Sequence, residues 1–206
     1  QAPGVVKKYT NLKCRLMPYL YAKAVEASDT GIPMMRAMVM EFPGDRACED
    51  IELQYMLGDA LMVAPVFRED SAVEYYLPEG RWTHLLSGRK AHGGRWHEEH
   101  CDIDDLPIFV RENSILPIGK EKSLVDYDYL DGLEIRVCQP NETGAQAVVV
   151  DQHGHKALTV SAVRSGNTVT VIAEGEHKGI SVKVYNESGL TSGRIEVGSY
   201  EAEMEI

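Results

Sequence analysis

The side chains in this sequence that are best suited to catalysis are carboxylates, and they gather in three clusters. Glycoside hydrolysis with retention of configuration needs two carboxyl groups about 5–5.5 Å apart, and the surroundings of one of them must raise its pKa. The clusters lie in predicted turns that are rich in other charges, where water solvates carboxylates. We therefore predict solvated loops and assign no catalytic residue among Glu98 and Glu99, Asp102, Asp104 and Asp105, and Asp126, Asp128 and Asp131.

Two segments partly match metal-binding motifs, and both depart from them. In residues 126–132 the third acidic residue of a calcium loop comes one position late, and Val137 stands where a glutamate should bind calcium. In residues 97–100 the histidines are three positions apart, whereas the zinc-peptidase motif spaces them by four. His153 and His155 flank a glycine in a turn, so we expect them to be solvated. No metal site and no cofactor are predicted.

The net charge of the chain indicates which classes of partner it can bind, and its cysteines indicate its cellular compartment. The formal net charge of -11 over 206 residues repels phosphate backbones and anionic membranes, so we expect neither nucleic-acid nor membrane binding. A neutral ligand such as a sugar remains compatible. The sequence has neither an apolar run of about 20 residues nor a secretory signal. Widely separated cysteines predict reduced thiols in a cytoplasmic protein, without a zinc site or disulfide framework: Cys14, Cys48, Cys101 and Cys138.

Two tryptophans suggest a further kind of site. The flat faces of Trp82 and Trp96 can stack against a sugar ring, yet each lies in an alternating stretch where a sandwich core needs a large apolar side chain. Because tryptophan is highly buried on average, we predict that both are core residues rather than a binding platform.

The first third of the chain predicts a helix, a strand and a second helix. Apolar residues recur at helical spacing over 6–27, with a kink or a second helix start at Pro18. The apolar run 34–40 predicts a buried strand, and Asp45 can cap a following helix that reaches Leu57. Such a strand needs parallel neighbours and cover on both faces. Since this chain supplies neither, we expect it to be a piece of a longer protein.

Residues 54–67 separate this helical part from a part made of strands. Gly58 and Asp59 end the helical pattern, and the apolar run 60–63 predicts a strand buried on both faces. Short alternating runs then predict two antiparallel β-sandwiches, over 59–119 and 120–206, with hairpin turns at 78–80 and 164–167. Alternation places seven side chains in the second core: Val149, Leu158, Val160, Val169, Val171, Val182 and Val184.

Four segments in this order resemble glycoside hydrolase family 31, and within it the bacterial α-xylosidases. The resemblance is strong over about residues 8–118 and thin over the last third of the chain. The four segments are Leu-Lys-Cys-Arg-Leu-Met-Pro-Tyr-Leu-Tyr at 12–21, Gly-Ile-Pro-Met-Met-Arg-Ala-Met-Val-Met-Glu-Phe-Pro at 31–43, Gln-Tyr-Met-Leu-Gly-Asp-Ala-Leu-Met-Val-Ala-Pro-Val-Phe at 54–67, and Tyr-Leu-Pro-Glu-Gly-Arg-Trp-Thr-His-Leu at 76–85.

The resemblance implies a retaining α-glycosidase in which a (β/α)₈ barrel is followed by two β-sandwiches. Residues 1–58 would then be the end of the barrel, 59–119 the proximal sandwich and 120–206 the distal sandwich, so the fold class is mainly β. The aspartate nucleophile and the aspartate acid/base of the family lie upstream of everything present here, and no residue of this chain matches them. Glu41 and Phe42 follow the predicted barrel strand and are candidates for a pocket wall, against a structural role that we rank higher.

Three functions are compatible with these observations. The first is the C-terminal structural region of an α-xylosidase that hydrolyses terminal α-xylosyl residues. The chain would be inactive on its own. Its partners would be the missing N-terminal and barrel parts of the enzyme and, through the whole enzyme, an α-xyloside or α-glucoside substrate. The second is a carbohydrate-binding module, and the third is a subunit-interaction domain. An uncovered barrel edge over residues 8–58 also predicts a homo-oligomer.

Overall fold

The computed structural model describes residues 2–186, 189–195 and 200–205. The chain divides into two compact units. The middle unit comprises residues 33–112, and the terminal unit comprises the residues up to Ile32 together with those from Asn113 onward. Antiparallel sheets dominate both units, which confirms the mainly β fold class. No helix among the described residues combines the length and hydropathy that crossing a membrane requires.

The middle unit is a sandwich of two unequal sheets, all of whose residues are described. The larger sheet has the order β1-β2-β3-β8-β5-β6, and the smaller sheet pairs β4 with β7. Methionines and aromatic side chains from both sheets fill the core between them. The strands are β1 (Met35–Arg36), β2 (Tyr55–Leu57), β3 (Leu61–Val63), β4 (Ala72–Leu77), β5 (Arg81–His84), β6 (Lys90–His92), β7 (Arg95–His100) and β8 (Ile108–Arg111).

The strand and the second helix predicted before residue 58 are wrong. The run 34–40 contains only the two residues of β1, paired antiparallel with β2, and then a short helix, α2 (Met38–Glu41). A continuous apolar run does not distinguish a strand from a helical turn, and here only Met38 of α2 is buried. Asp45 caps a helix as predicted, accepting from the N–H of Ala47, but it is a single 3-10 turn, Arg46–Cys48.

The predicted hairpin at residues 78–80 is also wrong, whereas the buried strand at 60–63 is confirmed as β3. β4 and β5 lie in different sheets, because the chain crosses the sandwich between them. Within this crossing segment, the indole N–H of Trp82 donates to the carbonyl of Pro78 at 2.8 Å. Gly93 lies against the same carbonyl, and a Cβ there would come within 1.8 Å of the oxygen.

The terminal unit is a second sandwich with one long helix, α1 (Ala2–Thr30). Its sheets have the orders β15-β14-β10-β9 and β11-β12-β13-β16. All pairs are antiparallel, as predicted, except that β10 runs parallel to β14. The strands are β9 (Ser114–Ile118), β10 (Asp131–Cys138), β11 (Ala145–Val150), β12 (Lys156–Ser165), β13 (Thr168–Gly175), β14 (Lys178–Asn186), β15 (Gly189–Ile195) and β16 (Tyr200–Glu205).

The core of the terminal unit confirms the side chains predicted from alternation. Each of the seven is at most 1% exposed, and together they join residues from both sheets in one cluster. The hairpin predicted at 164–167 is confirmed as well, since Ser165 pairs with Thr168 across a two-residue turn. Gly166 has the positive φ of 59° that such a turn requires.

Helix α1 continues through Pro18 without a break, so the second helix start that was predicted as one alternative does not occur, and the kink stays a prediction. Proline lacks the N–H that would pair with the carbonyl four residues earlier, which belongs to Cys14. The Tyr127 hydroxyl takes its place and donates to that carbonyl at 2.9 Å. The N–H of Gly119 donates to the carbonyl of Arg15 at 2.7 Å, so the two carbonyls exposed by the proline are both satisfied by the sandwich.

Candidate functional sites

The acidic clusters are spread over several surface segments. Asp102, Asp104 and Asp105 are exposed in a turn, as predicted. Glu98 and Glu99 lie in strand β7, so the prediction that they belong to a turn is wrong. In the third cluster, Asp128 accepts a hydrogen bond from Lys178 at 2.6 Å, Asp131 pairs with Lys120, and Asp126 accepts from Gln152.

Glu99 belongs to a polar network that the sequence did not reveal. The Tyr75 hydroxyl donates to one of its oxygens at 2.9 Å, and the Arg89 guanidinium donates to the other at 2.7 Å. Burial, followed by the charge of Glu99, raises the pKa of the Tyr75 phenol. The Tyr75 ring stacks on His97 with centroids 5.5 Å apart and planes 11° apart, and burial lowers the pKa of that histidine. These contacts fix β7 onto β4.

Glu41 and Phe42 contact other residues of the middle unit. One oxygen of Glu41 accepts from Arg36 at 3.0 Å and the other from Arg111 at 3.1 Å. The Arg111 guanidinium lies 4.8 Å above the Phe42 ring, whose other neighbour is Trp82. These contacts give both residues a structural role, and their place in a pocket wall stays a prediction.

The segments that partly match metal-binding motifs make structural contacts instead. Asp128 accepts from the N–H of Leu130 at 3.0 Å and so closes a turn, while the two tyrosines beside it are buried. His97 Nε2 lies 3.1 Å from the carbonyl of His92, and the ring of His153 lies 6.2 Å from that of His155. Within residues 2–186, 189–195 and 200–205, no three histidine, cysteine or acidic side chains group closely enough to hold a metal ion.

The terminal unit has an open acidic cavity of about 760 Å³. Its carboxylates are those of Asp128, Asp151, Glu174 and Glu176. The N–H groups of His155 and His153 donate to Asp151 and lower its pKa. His177 also lines the cavity, and its Nδ1 is buried without a hydrogen-bond partner among the described residues.

The two tryptophans have opposite environments. Trp82 is 1% exposed, which confirms it as a core residue. Trp96 is 51% exposed, so its predicted place in the core is wrong. It lies opposite Tyr76 in the β4–β7 ladder, with ring centroids 5.5 Å apart. Alternation along β7 does not say which of its two faces meets the core, and Trp96 lies on the same exposed face as Glu98.

Two family models match the chain in tandem. The model described as the glycosyl hydrolase family 31 C-terminal domain matches residues 31–116. The model described as the C-terminal domain of α-xylosidase YicI matches residues 128–206. The first match covers all of the middle unit and the second covers most of the terminal sandwich.

Individual relatives agree with these matches. The α-xylosidase XylQ of Lactiplantibacillus pentosus is 33% identical over 93% of this chain, and an α-xylosidase of Emericella nidulans is 39% identical over 82% of it. This chain spans about a quarter of the length of each, 26% and 23%.

Solved structures show the same fold. The cycloalternan-forming enzyme of Listeria monocytogenes, solved with a pentasaccharide substrate, superposes on 87% of this chain with a TM-score of 0.80 and 29% identity, over 18% of its own length. An α-xylosidase of Xanthomonas citri superposes on 95% of this chain with a TM-score of 0.76 and 24% identity, over 24% of its own length. The chain therefore belongs to glycoside hydrolase family 31, of which it is a C-terminal region similar to that of the α-xylosidases.

Proposed function

We propose that this chain is the C-terminal structural region of a retaining α-glycosidase of the α-xylosidase type, which hydrolyses terminal α-xylosyl residues. The chain alone is inactive, and the catalytic carboxylates belong to a barrel outside it. The observation that carries this proposal is the tandem order of the two C-terminal domain matches, over 31–116 and then 128–206. The identities of 33% and 39% to two α-xylosidases support the choice of a xyloside over a glucoside.

The electrostatics of the chain support its inactivity. A retaining glycosidase needs a general acid whose pKa its surroundings raise. Every carboxyl group with a shifted pKa among the described residues has instead a lowered pKa, because cationic or N–H groups stabilise the carboxylate: Asp70, Asp128, Glu134 and Asp151. At Glu134 burial acts in the opposite direction, and the hydrogen bonds from Lys183 and Arg136 outweigh it.

The partners we propose are the remaining parts of the same enzyme. Around α2 the middle unit exposes large apolar side chains, with Met35 61% exposed, Met40 53% exposed and Leu53 62% exposed. Exposed apolar groups of this size are typical of surfaces that another domain or subunit covers. We propose that the missing parts of the barrel cover them, with residues 1–58 forming the end of the barrel and 59–119 and 120–206 forming the two sandwiches. We also propose that the enzyme is cytoplasmic and forms homo-oligomers. Sedimentation of the 206-residue chain would reveal dimers if the uncovered surface also mediates self-association.

The test is an activity comparison between the chain and the same chain extended by the residues encoded upstream. We expect the extended protein to hydrolyse 4-nitrophenyl α-D-xyloside faster than 4-nitrophenyl α-D-glucoside, and the 206-residue chain to hydrolyse neither. Turnover by the 206-residue chain alone would refute the assignment of the catalytic groups to another part. An extended protein that is folded but inactive on both substrates would refute the proposed function itself.

A further inference from the structure

Trp96 is exposed, yet the residues that support it are buried. Its partner across the ladder, Tyr76, is 7% exposed, and the Tyr76 hydroxyl donates to Asp45 at 3.0 Å. The buried side-chain amide of Gln54 donates to the carbonyl of Tyr76 and accepts from its N–H, both at 2.7 Å. The backbone opposite the indole is therefore held by Gln54 as well as by β7, and the Trp96 ring packs against the fixed ring of Tyr76.

Two carboxylates lie on the same face of this ladder. Glu98 is two residues along β7 from Trp96, and it pairs in register with Glu74 of β4. Like charges directly opposite each other destabilise a strand pair. The hydrogen bonds and the charge of Asp70 raise the pKa of the Arg68 guanidinium, and the charges of Glu98 and Glu74 raise it further. A strand pair that keeps two facing glutamates beside an exposed indole sacrifices stability, which is a common property of binding sites.

We propose that Trp96, Glu74 and Glu98 form a surface site for a neutral pyranose unit of a glycan. The apolar face of the sugar would stack on the indole, and its hydroxyls would donate to the two carboxylates, which only accept hydrogen bonds. Arg68 does not neutralise these two carboxylates, because it is already paired with Asp70 at 2.5 Å. The choice of a glycan rests on the proposed function. A single platform of this kind gives affinity in the millimolar range.

The distribution of tryptophans makes this site directly observable. The chain contains two tryptophans, and only Trp96 is exposed, so indole N–H signals in NMR spectra report the two environments separately. We would titrate the 206-residue chain with methyl α-D-xylopyranoside and with isomaltotriose. We expect one indole signal to shift saturably while the Trp82 signal stays in place. Trp96→Phe assigns the shifting signal, and acrylamide quenching of fluorescence should decrease at saturating sugar.

Variants separate a binding role from a structural one. Glu98→Gln removes one of two facing charges, so it should raise the thermal midpoint of the middle unit slightly while weakening sugar binding about fivefold, since a charged acceptor is roughly twice as strong as a neutral one. The matched control is Leu124→Ala, an exposed apolar residue of the terminal unit that is 57% exposed, which should leave sugar binding unchanged. Circular dichroism would verify that each variant is folded.

The possible outcomes are distinguishable from each other and from failure of the proposed function. If the Trp96 signal shows no saturable shift with either sugar at concentrations well above the millimolar range, the proposed site is wrong. A shift with tetramethylammonium but not with either sugar overturns it in favour of a cation site. Because binding is read without catalysis, sugar binding by the chain combined with an inactive extended protein would refute the proposed function and leave this site intact.

Discussion

The sharpest test of the terminal core is the substitution Val171→Asp. Val171 is 0% exposed in β13, between β12 and β16. Removing its side chain from the core forfeits about 1.5–3 kcal/mol of apolar burial. The new carboxyl group finds no cation in that cluster and costs at least about 1–3 kcal/mol more. A total loss of about 4 kcal/mol is a large part of the 5–15 kcal/mol that typically stabilises a domain.

The two units can be followed separately. Both tryptophans lie in the middle unit, so tryptophan fluorescence reports its unfolding, whereas far-ultraviolet circular dichroism reports both units. A loss of about 4 kcal/mol in a domain of this size lowers the thermal midpoint by roughly 12–16 °C. We expect the dichroism of Val171→Asp to fall at a lower temperature while the fluorescence transition stays in place.

The control for this experiment is Thr170→Asp. Thr170 is the preceding residue of β13, half-buried on the opposite face, and it receives the same new side chain. Its substitution should change the free energy of unfolding by less than about 1 kcal/mol. Equal thermal midpoints for the two variants would mean that the inward and outward faces of β13 have been assigned wrongly.

Three further predictions concern particular contacts. Glu41→Gln weakens the pairing of two arginines and should cost the middle unit about 1–3 kcal/mol in urea unfolding followed by fluorescence; an unchanged midpoint would contradict a structural role for this carboxylate. Gly119→Ala would bring a Cβ within 1.8 Å of the Tyr127 hydroxyl and should lower the helical dichroism of α1, whereas Gly4→Ala, which meets nothing within 4 Å, should not. Folding lowers the pKa of Glu134, so its stabilising contribution is present above the unfolded pKa of about 4.3 and is lost as the pH falls through the lower folded pKa; Glu134→Gln should flatten that acid-induced loss in a pH titration of the dichroism.

The terminal sandwich was the most predictable part of the fold. Strands such as β12 and β13 have one face in the core and one face towards water, so alternation specifies both the strand and its inward side chains. Residues 34–57 were predicted poorly, because their apolar runs are continuous and show no period. The pairing of β1 with β2 also joins residues about 20 positions apart, which a local pattern does not reveal. The hairpin predicted at residues 78–80 was wrong because a turn signal does not indicate which sheet the next strand joins.

The candidate sites were less predictable than the fold. The sequence correctly identified tryptophans and carboxylates as the groups to examine, but the exposure of Trp96 depends on tertiary contacts, since its cross-strand partner Tyr76 is buried. The network of Tyr75, Glu99 and Arg89 had no local signal, because its members lie on separate strands and a loop. Finding this network from the sequence would have required knowing that β4 pairs with β7.

The proline in helix α1 also has a consequence for the order in which the chain folds. A proline in the middle of a helix costs about 3 kcal/mol relative to alanine, so residues 2–30 form a weak helix by themselves. The hydroxyl that compensates for the missing N–H belongs to Tyr127, 113 positions after Cys14, whose carbonyl it contacts. At about 5–20 residues per second of synthesis, roughly 6–23 s pass between the addition of Cys14 and that of Tyr127. During that interval the carbonyl of Cys14 has only water as a donor, since the contact that compensates for the proline cannot form without Tyr127.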